Sequence, residues 1–170
     1  MLHRLNENPH FDICVYDNNL YAAPYCEGDC YFIVVFSTET WQGFTVFPTD
    51  CAGDCYKHTL CVNKRHLFVT CEKSHRVYKM SLDGKIIDIY SQNGHSKGDC
   101  LEPVACMTDD DDNLLIVNGT TQRLQLLHGT KWCQVDLTYS KAQAAVYDGH
   151  ALFVIDKQID GGQHRMLKYE

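Results

Sequence analysis

Four of the ten cysteines in this 170-residue chain fall in two matched pairs, Cys26-Glu27-Gly28-Asp29-Cys30 and Cys51-Ala52-Gly53-Asp54-Cys55. Two pairs of thiolates with three residues inside each suit a tetrahedral zinc ion held by Cys26, Cys30, Cys51 and Cys55. The same residues would also serve as disulfides or as small buried thiols. Gly53-Asp54-Cys55 returns as Gly98-Asp99-Cys100, each six residues before another cysteine, Cys61 or Cys106. A pattern that recurs along the chain is more simply a turn device, so no metal or other cofactor is expected. The run Asp109 to Asp112 could suggest calcium, but calcium loops alternate ligands with spacers and this run does not. It reads as a solvated turn. No nucleophile with a spaced base, paired carboxylates or Gly-rich phosphate loop is recognisable, so no enzyme is expected.

Composition narrows the partners. With 22 acidic against 15 basic residues and a formal charge of -7, the chain has no positive field to gather phosphates. No apolar run reaches the roughly 18 residues of a membrane span, and Met1-Leu2-His3-Arg4 does not resemble the start of a secretory signal. The expectation is a cytoplasmic protein with no membrane partner. A mean hydropathy of -0.30 with 45% hydrophobic residues describes one ordinary globular domain.

Short runs rich in Val, Ile, Tyr, Phe and Leu, broken by Gly, Asp and Asn, predict an all-β chain. They form sets of four over 11–47, 58–90 and 104–137, and a set of three over 142–169. Leu20, Leu67, Leu114 and Leu152 open the second strand of each set at spacings of 47, 47 and 38. Cys14, Cys61, Cys106 and Ala145 fall on the innermost strands, and Arg76, Arg123 and Arg165 open the third strands. Four-stranded antiparallel units repeating at this length predict the blades of a β-propeller. One arginine per blade at one position is expected to be architectural, bonding backbone carbonyls between blades. Four sets permit a small closed ring, with residues 1–5 as the missing outer strand of the last set, or part of a larger propeller. An open arc would expose two apolar blade faces and favour self-association.

Asp83-Gly84-Lys85, the Gly94 to Gly98 loop ending in Glu102-Pro103, the strand with its Asp-Asn turn, Leu115-Ile116-Val117 and Arg123-Leu124 resemble the NHL repeat. They are similar above all to the C-terminal propellers of tripartite-motif (TRIM-NHL) proteins. The likeness is good from about Leu60 to Leu127, recognisable in the last set and poor in the first, where Asp29-Cys30-Tyr31 replaces the Arg-aliphatic pair. It implies a non-catalytic protein-interaction platform. Recognition is expected on the face carrying the second-to-third-strand loops and inter-blade segments. Glu27, Asp29, Lys73, His75, His95, Lys97 and Asp160 are the candidate contacts there. Some relatives bind single-stranded RNA; that alternative would need Lys57, Lys64, Arg65, Lys73, His75, His95 and Lys97 on one surface. A metal-dependent hydrolase or lyase is a third reading. The inner-strand residues Cys14, Cys61, Cys106 and Ala145 are not the ligand set a channel metal of that kind wants. Asn118-Gly119-Thr120 is a glycosylation sequon, expected in an exposed loop and unused.

Overall fold

In the computed structural model the described residues are 11–24, 32–48, 59–72, 74–91, 100–158 and 162–170. They form β-strands joined by turns and loops, with no helix among them. Blade 1 holds β1 (Phe11–Tyr16), β2 (Asn19–Pro24), β3 (Phe32–Ser37) and β4 (Gly43–Pro48). Blade 2 holds β5 (Leu60–Val62), β6 (His66–Cys71), β7 (Arg76–Ser81) and β8 (Ile86–Ser91). Blade 3 holds β9 (Pro103–Thr108), β10 (Leu114–Asn118), β11 (Arg123–His128) and β12 (Lys131–Asp136). Blade 4 has β13 (Ala142–Tyr147), β14 (Leu152–Lys157) and β15 (His164–Tyr169). Each sheet is antiparallel and runs outward in chain order, the arrangement of propeller blades. Residues 1–5, a candidate closing strand, lie outside the described residues.

Local chemistry makes the hairpins. Asp17 and Asn18 both take positive φ, 47° and 59°, in the two-residue turn whose twist matches its flanking strands. In blade 3, Asp109 Oδ1 accepts the N–H groups of Asp111 and Asn113 at 3.0 and 2.8 Å. In blade 4, Asp148 Oδ1 accepts those of Ala151 and His150 at 2.8 and 2.9 Å, and these bonds hold its carboxyl below its ordinary range. These are Asx turns, in which a short carboxylate replaces the ladder partners that the chain loses on reversing.

The inner strands stand side by side in the order β1, β5, β9, β13. The blade faces bury three seams. Between blades 1 and 2 lie Tyr21, Ile33, Val35, Leu67, Val69, Tyr78 and Met80. Between blades 2 and 3 lie Cys61, Phe68, Val77, Cys106, Leu114 and Ile116. Between blades 3 and 4 lie Val104, Met107, Leu115, Val117, Leu152 and Val154. Full burial of each such aliphatic or aromatic side chain is worth roughly 1.5–3 kcal/mol. The seams are therefore the main source of cohesion.

The leucine column keeps its register: Leu67, Leu114 and Leu152 are all buried against the preceding blade, and Leu20 is part-buried. The inner-strand column does not. Leu20 faces Val15, Leu67 faces Val62 and Leu152 faces Tyr147, but Leu114 faces Thr108, one residue further back, across the longer aspartate turn. The residues equivalent to Cys14 and Cys61 are thus Met107 and Val146, opposite Leu115 and Phe153. Cys106 and Ala145 are one position off and point to the other face of their sheets, because strand side chains alternate. That offset lets Cys61, on the front of blade 2, meet Cys106, on the back of blade 3.

Candidate functional site

The inner strands line a central channel with a cavity of about 360 Å³, walled by residues such as Cys14, Cys61, Cys106, Met107, Gln143 and Val146. Its polar groups are engaged by the scaffold. Asp12 Oδ2 accepts the N–H of Leu60 on the next blade. The Thr59 and Thr70 hydroxyls bond at 2.8 Å, and Thr70 Oγ1 also accepts the Thr59 N–H at 2.9 Å. The Cys106 thiol lies 3.8 Å from the Thr59 and Phe68 carbonyl oxygens, to which it can donate. Burial first, then Cys106, pushes the Cys61 thiol well up, and burial, Cys106 and Asp12 do the same to Cys14. A thiol held protonated is a poor nucleophile and a poor metal ligand. Among the described residues no group of three or more His, Cys, Asp or Glu side chains is arranged to hold a metal ion.

At the loop end, a polar residue at the end of the second strand of blades 3 and 4 ties the incoming inter-blade chain. Asn118 Oδ1 accepts the Leu101 N–H at 3.2 Å. Asp156, at the same position in blade 4, accepts the Ser140 and Lys141 N–H groups at 2.8 Å each, while its Oδ2 takes Arg165 Nε at 2.9 Å. Burial alone would raise this carboxyl. The Lys141 N–H, the Arg165 guanidinium and the Ser140 N–H outweigh it and hold the group below its ordinary range. The Tyr139 hydroxyl donates to the Asn118 carbonyl and accepts the Arg123 N–H at 3.0 Å. None of these ties was read from the sequence. The signal available was an Asn or Asp four residues after the repeat leucine.

Of the candidate contacts, His75 is described. It sits at φ 55° before β7, part-buried, with Nδ1 accepting the Glu102 N–H at 2.9 Å across the blade 2–3 seam. Glu27, Asp29, Lys73, His95, Lys97 and Asp160 lie outside the described residues, as do the zinc candidates Cys26, Cys30, Cys51 and Cys55. Cys71, at the end of β6, is disulfide-bonded, whereas Cys14, Cys61, Cys106 and Cys133 are free thiols. Arg76 and Arg123 open their third strands, and Arg165 is the second residue of β15. Arg165 pairs with Asp156, Arg123 Nε lies 3.9 Å from Asp136, and Arg76 is exposed.

Two expectations need correction. Asn118 is not in an exposed loop but buried as the last residue of β10. Its side-chain oxygen is occupied by the Leu101 N–H at 3.2 Å. The basic set invoked for RNA is also divided. Lys64 and Arg65 occupy the β5–β6 hairpin, at the opposite end of β6 from His75, and Lys64 lies 3.7 Å from Asp112. Lys57, Lys73, His95 and Lys97 lie outside the described residues.

One part of the loop end is not spent on the scaffold. Ser74 Oγ, Glu102 Oε2 and Thr121 Oγ1 are buried without a hydrogen-bond partner among the described residues. They share a neighbourhood. His75, next to Ser74, binds the Glu102 N–H, and the Glu102 carbonyl accepts the Gly119 N–H at 2.7 Å, two residues from Thr121. Buried polar atoms in folded proteins normally have partners, so these three stand out as exceptions among the described residues.

No protein-family model matches the chain, and no curated protein matches it in sequence. Solved structures do. A protein of unknown function from Bacteroides caccae superposes with a TM-score of 0.72 at 11% identity, over 96% of this chain and 64% of that one. A catalytically inactive histidine-to-alanine variant of virginiamycin B lyase from Staphylococcus aureus, solved with quinupristin, gives 0.66 at 11%, over 99% and 58%. A streptogramin B lyase gives 0.67 at 13%, over 99% and 56%. The likeness establishes a propeller-like fold. The chain spans between about half and two thirds of these neighbours.

Proposed function

We propose that this chain is a non-catalytic recognition platform, an NHL-like propeller of tripartite-motif type, that binds a protein partner across its loop end in the cytoplasm. The observation that carries the reading is the contrast between channel and loop end. The channel's polar groups are engaged by backbone or by each other, whereas Ser74, Glu102 and Thr121 have buried atoms without a partner among the described residues. A Glu102 carboxylate flanked by the Ser74 and Thr121 hydroxyls suits a partner presenting donors, such as a lysine, an arginine or main-chain N–H groups.

The test compares two ends of the same fold. Candidate partners captured by the wild-type chain are assayed against Glu102→Arg with Thr121→Tyr at the loop end, and against Asp110→Lys with His150→Glu in the hairpins. Binding is expected to fall at least tenfold for the loop pair and to stay within twofold for the hairpin pair. The opposite pattern would sink the reading. Because lyases share the fold, quinupristin is incubated with the chain as well. Unchanged antibiotic is expected, and conversion would overturn the non-catalytic assignment.

A further inference from the structure

Because the blades repeat, each residue of an end blade has an interior counterpart, and the two differ consistently in exposure. On the forward face of blade 4, Val146 is 58% exposed, while its counterparts Met107 and Cys61 are 9% and 7% exposed. Met166, opposite Ile155, is 68% exposed, whereas Val77, opposite Thr70, is at 0%. On the rear face of blade 1, Ile13 is 57% exposed against 5% for Leu60, and Val15, the counterpart of Val62, is 60% exposed. Each interior counterpart owes its burial to the neighbouring blade. The exposed ones are aligned on adjacent strands, with Ile155 cross-strand from Met166 and Val146 two residues from Ala144, which faces Ile155. Single exposed apolar residues need no explanation. An aligned apolar sheet face at each end of an arc is an unfilled interface.

We propose that these two faces are the halves of one blade seam, joined between two copies of this chain. The forward face of blade 4 seats on the rear face of blade 1 of the second copy, and the reverse contact closes a two-fold ring. The chemistry of the mate is given by the three seams inside the chain, in which a forward face of this kind is received by a rear face of the kind blade 1 presents. Two copies supply eight blades, within the range of about four to eight for propellers. A head-to-tail contact that closes on itself ends in a finite assembly, whereas one that does not close grows a filament. The proposal concerns the edges of the arc and does not depend on the loop-end reading.

The test is the mass of the full chain in solution by light scattering, with two face variants and their mixture. The wild type is expected at twice the 19.5 kDa of one chain. Val146→Lys with Met166→Glu breaks the forward face, and Ile13→Lys with Val15→Glu breaks the rear face. Each is expected to be monomeric with a folded circular-dichroism spectrum. Mixed together they retain one intact rear and one intact forward face, so dimers are expected to reappear in the mixture and not in either variant alone. A wild-type monomer at all concentrations, open-ended polymers, or failure of the mixture to recover dimers would overturn the proposal.

Discussion

The seams on either side of blade 3 hold the same geometry by different chemistry. Toward blade 2 the contact is thiol and hydrocarbon: Cys61, Phe68, Val77, Cys106, Leu114 and Ile116. It is edged by Tyr90 and Trp132, whose rings meet edge-on with centroids 5.2 Å apart. Burial pushes the Tyr90 hydroxyl up to about 12. Two side-chain bonds, from the Glu102 N–H to His75 and from the Leu101 N–H to Asn118, latch its loop end. Toward blade 4 the apolar contact is supplemented by a polar latch in which Tyr139 donates to the Asn118 carbonyl and Asp156 holds Ser140, Lys141 and Arg165. Inter-blade chain must satisfy its own N–H and C=O groups wherever it is buried. Whichever side chain reaches them does so, and the repeat does not dictate which.

The largest effect should come from the polar latch. Asp156→Ala leaves two N–H groups and a guanidinium without their buried partner and is expected to cost about 4 kcal/mol by denaturant unfolding. Its sign with pH follows from the depressed carboxyl. The stabilisation is fully present above the unfolded value of about 3.9 and is lost as pH falls through the lower folded value. Wild-type stability should therefore drop more than that of Asp156→Ala on acidification below about pH 4. Equal drops would place the charge elsewhere.

Next is the hydrocarbon seam, where Ile116→Ala should cost about 3 kcal/mol from lost burial and the cavity left behind, with little dependence on pH. Tyr139→Phe removes the hydroxyl shared by Asn118 and Arg123 and should cost about 1.5 kcal/mol. His75→Ala should cost about 1 kcal/mol, the smallest of the four. A larger loss at His75 than at Tyr139 would reverse the contrast between the two latches.

Much of this could be read from the chain. Leu20, Leu67, Leu114 and Leu152 gave the repeat, and the arginine column stands in register opposite Cys71 and Asp156. The inner strands were misaligned by a residue for a physical reason. β9 is buried on both faces from Pro103 to Met107, so it lacks the alternation that would mark which side chain faces which blade. The extra residue in the Asp109 to Asn113 turn moved the pairing. The latches were hidden because Asn118 and Asp156 act on backbone 15 to 17 residues earlier in the chain, a distance no local pattern spans. The Cys71 disulfide was equally hidden, since spacing alone does not choose partners among ten cysteines.

The central claim is that the channel is scaffold, its thiols spent on packing. The most direct test is cysteine labelling with iodoacetamide in the native protein, followed residue by residue by peptide mass mapping. Exposed Cys133 should be modified within minutes, while Cys61 and Cys106 should remain unmodified until the chain is unfolded. Modification of Cys61 or Cys106 as fast as Cys133 would show an activated thiol in the channel and contradict the account.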